Sequence, residues 1–548
     1  MKRKLSTAIL FSVFSFFYSC NQKPKADLLV FNATIYTVDA SFATTGAMVV
    51  ADGKIIATGK KDELEKTYDV KEKLDAEGKF IYPGFIDAHA HFIGYANGLL
   101  TANLVGTNSW EEILSKIKSF DSTNKEGWLI GRGWDQNDWA VKEFPTNEKL
   151  NELFPHRPVL LTRIDGHGAI ANTKAMEIAG VKAGDKLTGG EVEVKNGKLT
   201  GILIDNAIDL VSSKASSNTD EQMKKAIQQA EQNCFAVGLT TIDDCGLGSS
   251  TVDKLNSMQK AGDLKMRLYV MLSDDKANYD YLEKTGMIKT DRLNVRSFKV
   301  YGDGALGSRG ACLLKSYSDK PGHLGFLLSN PEHFDSVAAR ISSKGFQMCT
   351  HAIGDSANRT ILKTYGKYLK GKNDLRWRIE HAQVVNEYDL SMFKDFSIIP
   401  SVQPTHATSD MYWAGDRLNI ERVKTAYAFR DLLDQNGWIA LGTDFPVEDI
   451  SPFKTFYAAV VRKDAKGWPE NGFQTENALT REQTLRGMTI WAAKSNFEEN
   501  EKGSLEKGKF ADFIILDKDL MKTGEKDLLN IKVLMTFLNG EKVYQAAN

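Results

Sequence analysis

The chain has 548 residues, and its 70 lysines and arginines almost balance its 71 aspartates and glutamates, which leaves a formal net charge of −1. A chain of this length exceeds one ordinary domain of about 150 residues and buries a large core. The sequence has no basic patch, which excludes a nucleic-acid-binding protein.

The N-terminus predicts export. Lys2, Arg3 and Lys4 precede an apolar run from Leu5 to Tyr18, a pattern typical of secretory signal peptides. Cys20 follows, and its setting resembles that of the lipidated cysteine of bacterial lipoproteins, although Phe17 stands where leucine is usual. We therefore expect residues 1–19 to be a signal peptide and Cys20 to anchor the protein to a membrane, in the periplasm or at the cell surface. Plain secretion is the alternative.

The remaining cysteines are scattered, without a CxxC pair: Cys234, Cys245, Cys312 and Cys349. Their apolar surroundings predict buried thiols, and one disulfide bridge stays open.

Both ends of the chain predict β-structure. Asp27–Val38 alternates like a strand, and Ala47–Thr58 predicts a hairpin. Gly508–Asp517 and Val533–Tyr544 have the same pattern near the C-terminus. We predict one small β-sandwich domain from residues 27–80 and 500–548, because two separate β tails would leave exposed sheet edges.

Residues 81–499 alternate between strand and helix patterns, which predicts an α/β fold with a parallel sheet. Helices are expected, among others, at Glu221–Ala236, Ser356–Leu369 and Ile420–Gln435. Eight strands are expected, the number in a (β/α)8 TIM-type barrel: Ile81–His91, Gly238–Gly246, Lys265–Leu272, Val295–Gly304, Phe346–Asp355, Trp377–Val385, Phe396–Pro404 and Trp438–Pro446.

A long insertion, residues 92–215, is expected after the first barrel strand. Its predicted elements are a helix around Trp110–Phe120, strands at Trp128–Asp135 and Val159–Gly168, and a hairpin at Gly189–Gly201. An insertion at this point lies on the catalytic face of a barrel.

Polar residues stand at the carboxyl ends of five predicted barrel strands, where barrel enzymes have their active sites: His89 and His91, Lys299, His351, His381, and Asp444. His89 and His91 are two residues apart on a strand, so both side chains point the same way. Imidazole suits zinc and other divalent metals. Each residue alone has an ordinary structural explanation, but the set predicts a metal site.

The order HxH, Lys, His, His, Asp on a barrel resembles the amidohydrolase superfamily, and most of all the branch that contains N-substituted formamide deformylase (amidohydrolase family 3). The matching pieces, between Asp27 and Tyr544, are PGFIDAHAH, GRGWD, DGHGAIANTKA, KVYGDGALGSRGA, HAIGD and GTDFP. Gly310 is a departure, since the resemblance predicts threonine there.

The resemblance implies a role for each strand-end residue. His89, His91 and Asp444 would hold the more buried ion, His351 and His381 the second, and a carboxylated Lys299 would bridge them. Asp444 would also shuttle the proton. Zinc is the expected ion. Ligand type alone does not distinguish zinc from manganese or iron. Binding of one ion and binding of two ions are both open.

Further residues are candidates for substrate handling. His167 is a candidate to hydrogen-bond the scissile carbonyl, with a structural role in a turn as the alternative. Arg309 is expected to clamp an anionic group, after a glycine-rich run suited to a lid. Trp134 and Asp135 are candidates for the pocket or for the core of the insertion, and Asp303 and Asp355 for orienting imidazoles.

The predicted function is hydrolysis of a non-peptide carbon–nitrogen bond, in an N-substituted amide or formamide, by attack of a metal-activated hydroxide. A deaminase or cyclic amidase of the same superfamily is the first alternative, and a periplasmic solute-binding lipoprotein is the non-enzyme alternative. The expected partner is a small-molecule amide. Membrane contact is expected only through Cys20, and a homodimer is allowed.

Overall fold

The computed structural model describes residues 23–123, 127–215 and 219–547. The predicted signal peptide and Cys20 lie outside these ranges. Within them, no helix combines the length and the apolar character that a membrane crossing requires.

The centre of the protein is a parallel barrel of eight strands, which we number 1 to 8 along the chain. Their bounds are Phe85–Ala90, Leu239–Leu247, Arg267–Ser273, Leu293–Tyr301, Gln347–Ala352, Arg378–His381, Ile399–Val402 and Ala440–Leu441. Neighbours in the sheet are neighbours in the chain, apart from the short strand Ile288–Lys289, which pairs with barrel strand 4. The predicted (β/α)8 barrel is confirmed.

Two backbone hydrogen bonds close the barrel between its first and last strands. Asp444 N donates to His89 O at 2.7 Å, and His91 N donates to Phe445 O at 2.8 Å. This close approach explains Gly442, since a Cβ atom there would lie 2.5 Å from His89 N. The closure places the residues after strand 8 directly against the two histidines of strand 1.

Most helices connect the barrel strands, and the others pack on the sheet of the insertion or on the N-terminal strands. Their bounds are Lys61–Thr67, Phe92–Gly98, Trp110–Thr123, Glu148–Leu153, Thr173–Ala179, Ile208–Ser212, Asp220–Ala236, Ser249–Ala261, Lys276–Thr285, Pro331–Lys344, Asp355–Leu369, Ser391–Asp395, Pro404–Asp410, Ala414–Arg422, Phe429–Asn436, Pro452–Val461, Arg481–Gly487 and Ile490–Ser495. Local signals set several ends: Thr219 forms a capping box with Gln222, and Asn330 caps a helix that begins at Pro331 and ends before the left-handed Gly345.

The single helix predicted over Ile420–Gln435 is wrong. One helix ends at Arg422, and the next begins at Phe429. Between them, Thr425 O accepts a hydrogen bond from Val385 N at 3.2 Å, and Ala426 pairs with Val384 in a β-bridge. Pairing with the segment after barrel strand 6 therefore overrides the local helical pattern.

The two ends of the chain form one mixed sheet of seven strands, where the sequence analysis predicted a sandwich. In sheet order the strands are Glu541–Gln545, Val533–Leu538, Phe513–Leu516, Asp69–Pro83, Lys25–Tyr36, Thr44–Ala51 and Lys54–Gly59. The last strand bonds back to the C-terminal segment, since Ile55 N donates to Lys509 O and Gly508 N to Ile55 O. Apolar side chains of both halves, such as Val30 and Phe537, share one core.

The insertion forms a second sheet of six strands: Ala102–Asn103, Leu129–Trp134, Val159–Arg163, Gly168–Ala171, Gly190–Lys195 and Lys198–Asp205. The single strand predicted over Val159–Gly168 is wrong, because the chain turns after Arg163 and pairs antiparallel with itself. Gly166 in this turn has a φ of +76°, which suits glycine, and the turn presents His167.

Candidate metal centre and active site

The ligands predicted on strands 1 and 8 meet at the barrel mouth. The Asp444 Oδ1 atom lies 3.6 Å from His89 Nε2 and 3.3 Å from His91 Nε2. Thr443 positions Asp444, since its N and Oγ1 donate to the Asp87 carboxylate of strand 1 at 2.9 and 2.7 Å. His89, Asp444 and Asp87 are buried. The motifs DAHAH and GTDF therefore form one interlocked unit.

Both histidines of the HxH pair have their ring protons fixed by a partner. His89 Nδ1 lies 2.6 Å from the Glu380 carboxylate, and His91 Nδ1 lies 3.0 Å from the Cys245 carbonyl oxygen. A carboxylate and a carbonyl only accept hydrogen bonds, so each Nδ1 must donate. Each Nε2 therefore carries a lone pair and no proton, which is the form that binds a metal ion.

Lys299, His351 and His381 stand next to this pair. Lys299 Nζ lies 3.1 Å from His89 Nε2, and the His381 ring is 4.7 Å from the His89 ring and 4.5 Å from the His351 ring, centre to centre. Burial and nearby Lys299 lower the pKa of His89 to about 4. Burial also lowers the pKa values of His351 and His381, so all three are neutral at neutral pH.

His406 is a site residue that the sequence analysis missed. Its Nε2 lies 3.1 Å from Asp444 Oδ2, and its Nδ1 lies 3.2 Å from Glu448 Oε1. Burial would raise the pKa of Asp444, but the hydrogen bond from His406 holds it well below its usual range. The one available signal was QPTH after strand 7, where the histidine lies on the following helix and not at the strand end.

Glu380 and Arg378 were also missed, and they support His89 from inside the barrel. Arg378 Nε donates to Glu380 Oε1 at 2.6 Å, and Arg378 Nη1 donates to Asp243 Oδ2 at 2.9 Å. All of these side chains are fully buried. Burial would raise the pKa of Glu380, but Arg378 and His89 hold it below its usual range, so the carboxylate stays charged.

His167 reaches the same cavity from the insertion. Its ring is 5.0 Å from the His351 ring, and its Nδ1 lies 2.6 Å from Asp205 Oδ1. Burial would lower the pKa of His167, but the hydrogen bond to Asp205 raises it above the ordinary value. Asp205 thus fixes the orientation of the ring and its proton on Nδ1.

Asp205 sits in a cradle of two glycines from the loop after strand 4. A Cβ atom at Gly304 would lie 2.4 Å from Asp205 Oδ2, and one at Gly310 would lie 2.3 Å from it. Asp205 is 8% exposed, its Oδ2 has no hydrogen-bond partner, and its φ is +49°. Such backbone strain clusters at functional sites. Gly310, the departure from the expected threonine, therefore leaves room for this carboxylate.

Arg309 lies elsewhere. Its guanidinium pairs with Asp319, with Nη2 at 2.8 Å from Oδ2, and it does not belong to the cavity lining formed by the described residues.

Four other predicted residues have structural partners. Trp134 is buried and donates to Leu161 O, whereas Asp135 lines the cavity and pairs with Arg163. Asp303 accepts the backbone N–H groups of 312, 353 and 354, and Asp355 that of Leu314. The four described cysteines are free, and Cys312 alone among them is partly exposed.

The donor set fits a divalent metal ion. The ligand atoms of His89, His91 and Asp444 lie within 4.8 Å of one another, and so do those of His381, His406 and Asp444. The buried atoms His351 Nε2, His381 Nδ1 and Asp444 Oδ1 have no hydrogen-bond partner. Unpartnered buried donors and acceptors are costly, and a bound ion would satisfy them. Except for the fully buried His89, these residues line a cavity of about 800 Å³.

The chain is similar to known proteins over more than 90% of its length. The chain is 32% identical to the protein LONG AFTER FAR-RED 3 of Arabidopsis thaliana, over 95% of this chain and 92% of that protein. It is 26% identical to N-substituted formamide deformylase of Arthrobacter pascens, over 95% and 98%. The crystal structure of an uncharacterized metal-dependent hydrolase from Pyrococcus horikoshii OT3 matches with a TM-score of 0.74 and 28% identity, over 91% of this chain and 99% of that one.

The model of the Amidohydrolase family matches residues 72–544. The predicted resemblance is confirmed, and with it the prediction of an amidohydrolase enzyme. The chain belongs to the Amidohydrolase family.

Proposed function

We propose that the protein is a metal-dependent hydrolase of N-substituted amides or formamides. The observation that carries the proposal is the pair of ligand groups that share Asp444 beside unpartnered buried atoms of His351 and His381. The relatives named above, a formamide deformylase and a metal-dependent hydrolase, support the same reaction class.

The reaction adds water across the amide bond. A water oxygen bonds to the carbonyl carbon, the carbon–nitrogen bond breaks, and a proton from water ends on the leaving nitrogen, which gives a carboxylic acid and an amine. A divalent ion held by His89, His91, His351, His381 and Asp444 would polarise the carbonyl and lower the pKa of the attacking water.

Asp444 is the proposed proton carrier. Its Oδ1 has no hydrogen-bond partner and its side chain lines the cavity, so it is free to take the proton of the attacking water and deliver it to the nitrogen. The φ of Asp444 is +64°, and closure of the barrel holds this strained backbone in place.

His167 is the proposed hydrogen-bond donor to the substrate carbonyl. Asp205 holds its Nδ1 proton and raises the pKa of the ring, which favours a protonated Nε2 facing the cavity. A donor aimed at a developing oxyanion contributes about 10²- to 10³-fold in turnover.

Lys299 is the proposed bridging ligand, in a carboxylated form. As an ammonium 3.1 Å from the His89 ligand atom it would repel cations, whereas a carbamate offers two anionic oxygens at the same place. Zinc is the proposed ion on the basis of the donor set, with manganese and iron as outcomes of metal analysis.

The test combines metal analysis with a substrate panel. Purified protein is assayed for bound metals and then incubated with N-formyl and N-acyl amines, with mass detection of the acid and the amine. Chelation should abolish turnover, and the metal found in the preparation should restore it. Ammonia release would instead favour a deaminase or a cyclic amidase. Absence of metal and of turnover would contradict the proposal and favour a solute-binding protein.

We further propose that Cys20 is lipidated and anchors the enzyme outside the cytoplasm. Supporting this are the basic segment, the apolar run and the cysteine at its end. Each buried CH₂ of a lipid chain contributes about 0.8 kcal/mol, and more than one chain makes the anchor stable. Cys20→Ser should release the protein from the membrane fraction or stall its processing. Wild-type protein that is wholly cytosolic with Met1 intact would refute this.

Light scattering on the mature enzyme decides between a monomer and a homodimer.

A further inference from the structure

One guanidinium in the cavity wall has no counter-ion. Arg132 lies on the insertion strand Leu129–Trp134 and lines the cavity. Its Nη2 donates to Ile164 O at 2.7 Å, but its buried Nε has no hydrogen-bond partner. No carboxylate oxygen of the described residues lies within 4.0 Å of it.

Most other charges in the cavity wall are matched. Arg163, on the neighbouring strand, binds both Asp135 and Asp165. Among the other lining carboxylates, Asp205, Asp274 and Glu448 each pair with a histidine, and Asp410 accepts from Tyr427. Asp138 and Asp209 are solvent-exposed. Asp444, the remaining acid of the lining, pairs with His406 through its Oδ2 atom and forms no ion pair within 4.0 Å of Arg132.

The strand pattern directs Arg132 into the cavity. A Cβ atom at Gly131 would lie 3.0 Å from Leu104 Cδ1 and 3.1 Å from Ile117 Cδ1, two side chains of the insertion core, so this face of the strand packs on that core. Side chains alternate along a strand, so Arg132 points the opposite way. This arrangement explains the GRG sequence, which the hydrolytic mechanism does not use.

We propose that Arg132 binds a carboxylate of the substrate, so that the natural substrates are amides that also carry an acidic group. The inference rests on the proposed function and deepens it. A guanidinium binds a carboxylate through two parallel hydrogen bonds, and a partly buried, unpaired charge is unfavourable until such a partner arrives. The sequence assigned this role to Arg309, but Arg309 is already paired with Asp319.

The test compares matched acidic and neutral substrates. The N-formyl derivatives of glycine, β-alanine and 4-aminobutanoate are assayed beside their carboxamides, which differ only in the charge. Wild type should prefer the acid by about ten- to hundredfold in kcat/KM at the best chain length, the range expected for hydrogen bonds to a charged group. Arg132→Gln should remove the preference by raising KM for the acid alone, and Arg132→Lys should keep part of it.

A binding measurement keeps the test independent of turnover. Calorimetry with 4-(methylsulfonamido)butanoate and its carboxamide, in which a sulfonamide replaces the scissile amide, reports the same charge preference. Arg359→Gln is the matched control, because Arg359 pairs with Asp389 and lies outside the cavity lining.

The outcomes separate the two proposals. Equal binding of acid and carboxamide by wild type, or an unchanged preference in Arg132→Gln, overturns the inference. So does loss of the preference in Arg309→Gln. Binding that depends on Arg132 without turnover of any amide would support the anion site and contradict the proposed hydrolytic function. Circular dichroism and metal content show whether each variant is folded.

Discussion

Replacing Glu380 by glutamine tests whether the buried ion pairs behind His89 serve the metal site. We call these pairs, formed by Glu380, Arg378 and Asp243, the chain behind His89. The carboxylate receives His89 Nδ1 and Arg378 Nε, both at 2.6 Å, and both partners are fully buried. Glutamine keeps the size but not the charge. One side-chain oxygen can still accept from Arg378, but the amide N–H₂ would then face the His89 Nδ1 proton. His89 would turn, or move its proton to the atom that should hold the metal.

The expected size follows from the contacts. Outer partners of metal-binding histidines typically contribute 10- to 100-fold in metal affinity, which corresponds to about 1.4–2.7 kcal/mol. Breaking a buried ion pair costs about 3–5 kcal/mol. Arg378 retains Asp243 at 2.9 Å, so we expect a loss of stability at the lower end of that range. Glu380→Gln should therefore weaken metal binding and lower the melting temperature together.

The assay is competition with a chromogenic chelator, run beside thermal unfolding. Glu498→Gln is the matched control: Glu498 is 2% exposed and pairs with Lys289 and Lys502, both at 2.6 Å, outside the proposed metal site. The control should lose stability but keep its metal affinity. Unchanged metal affinity in Glu380→Gln, or an equal loss in Glu498→Gln, would show that the chain behind His89 serves only the fold.

Further substitutions test three single roles. Lys299→Ala should lose about one metal equivalent and most turnover, with partial rescue by short carboxylic acids; two bound metals with wild-type turnover would contradict the bridging carbamate. Asp444→Asn should lower kcat at least 10²- to 10⁴-fold while the metal largely stays; near-normal turnover with full metal content would exclude Asp444 as proton carrier. Asp205→Ala should lower kcat about as far as His167→Ala, roughly 10²-fold, with KM and metal content little changed, and Asp205→Asn, which still accepts the Nδ1 proton, should lose less. If Asp205→Ala retains wild-type kcat, Asp205 does not position His167.

The sequence by itself determined the barrel and much of the proposed metal site. The barrel strands are buried on both faces, so they appear in the sequence as short, almost continuous apolar runs, which can be recognised without knowing their neighbours in space. Because parallel strands end at one face of a barrel, residues at strand ends are bound to converge. The convergence of His89, His91, His381 and Asp444 needed no more than this.

Only the tertiary structure decided which other residues join them. Glu380 directly precedes His381, yet its role depends on His89 reaching it across the barrel interior. His406 lies on a helix, and Asp205 and Arg132 come from the insertion. The sequence predicted that the insertion lies on the catalytic face, but it did not predict that these two side chains reach the cavity. Docking depends on fits such as the Asp205 carboxylate between Gly304 and Gly310. This contact joins segments about 100 residues apart in the chain. Neither segment alone shows that the carboxylate and the two glycines will meet, so only the folded structure decides it.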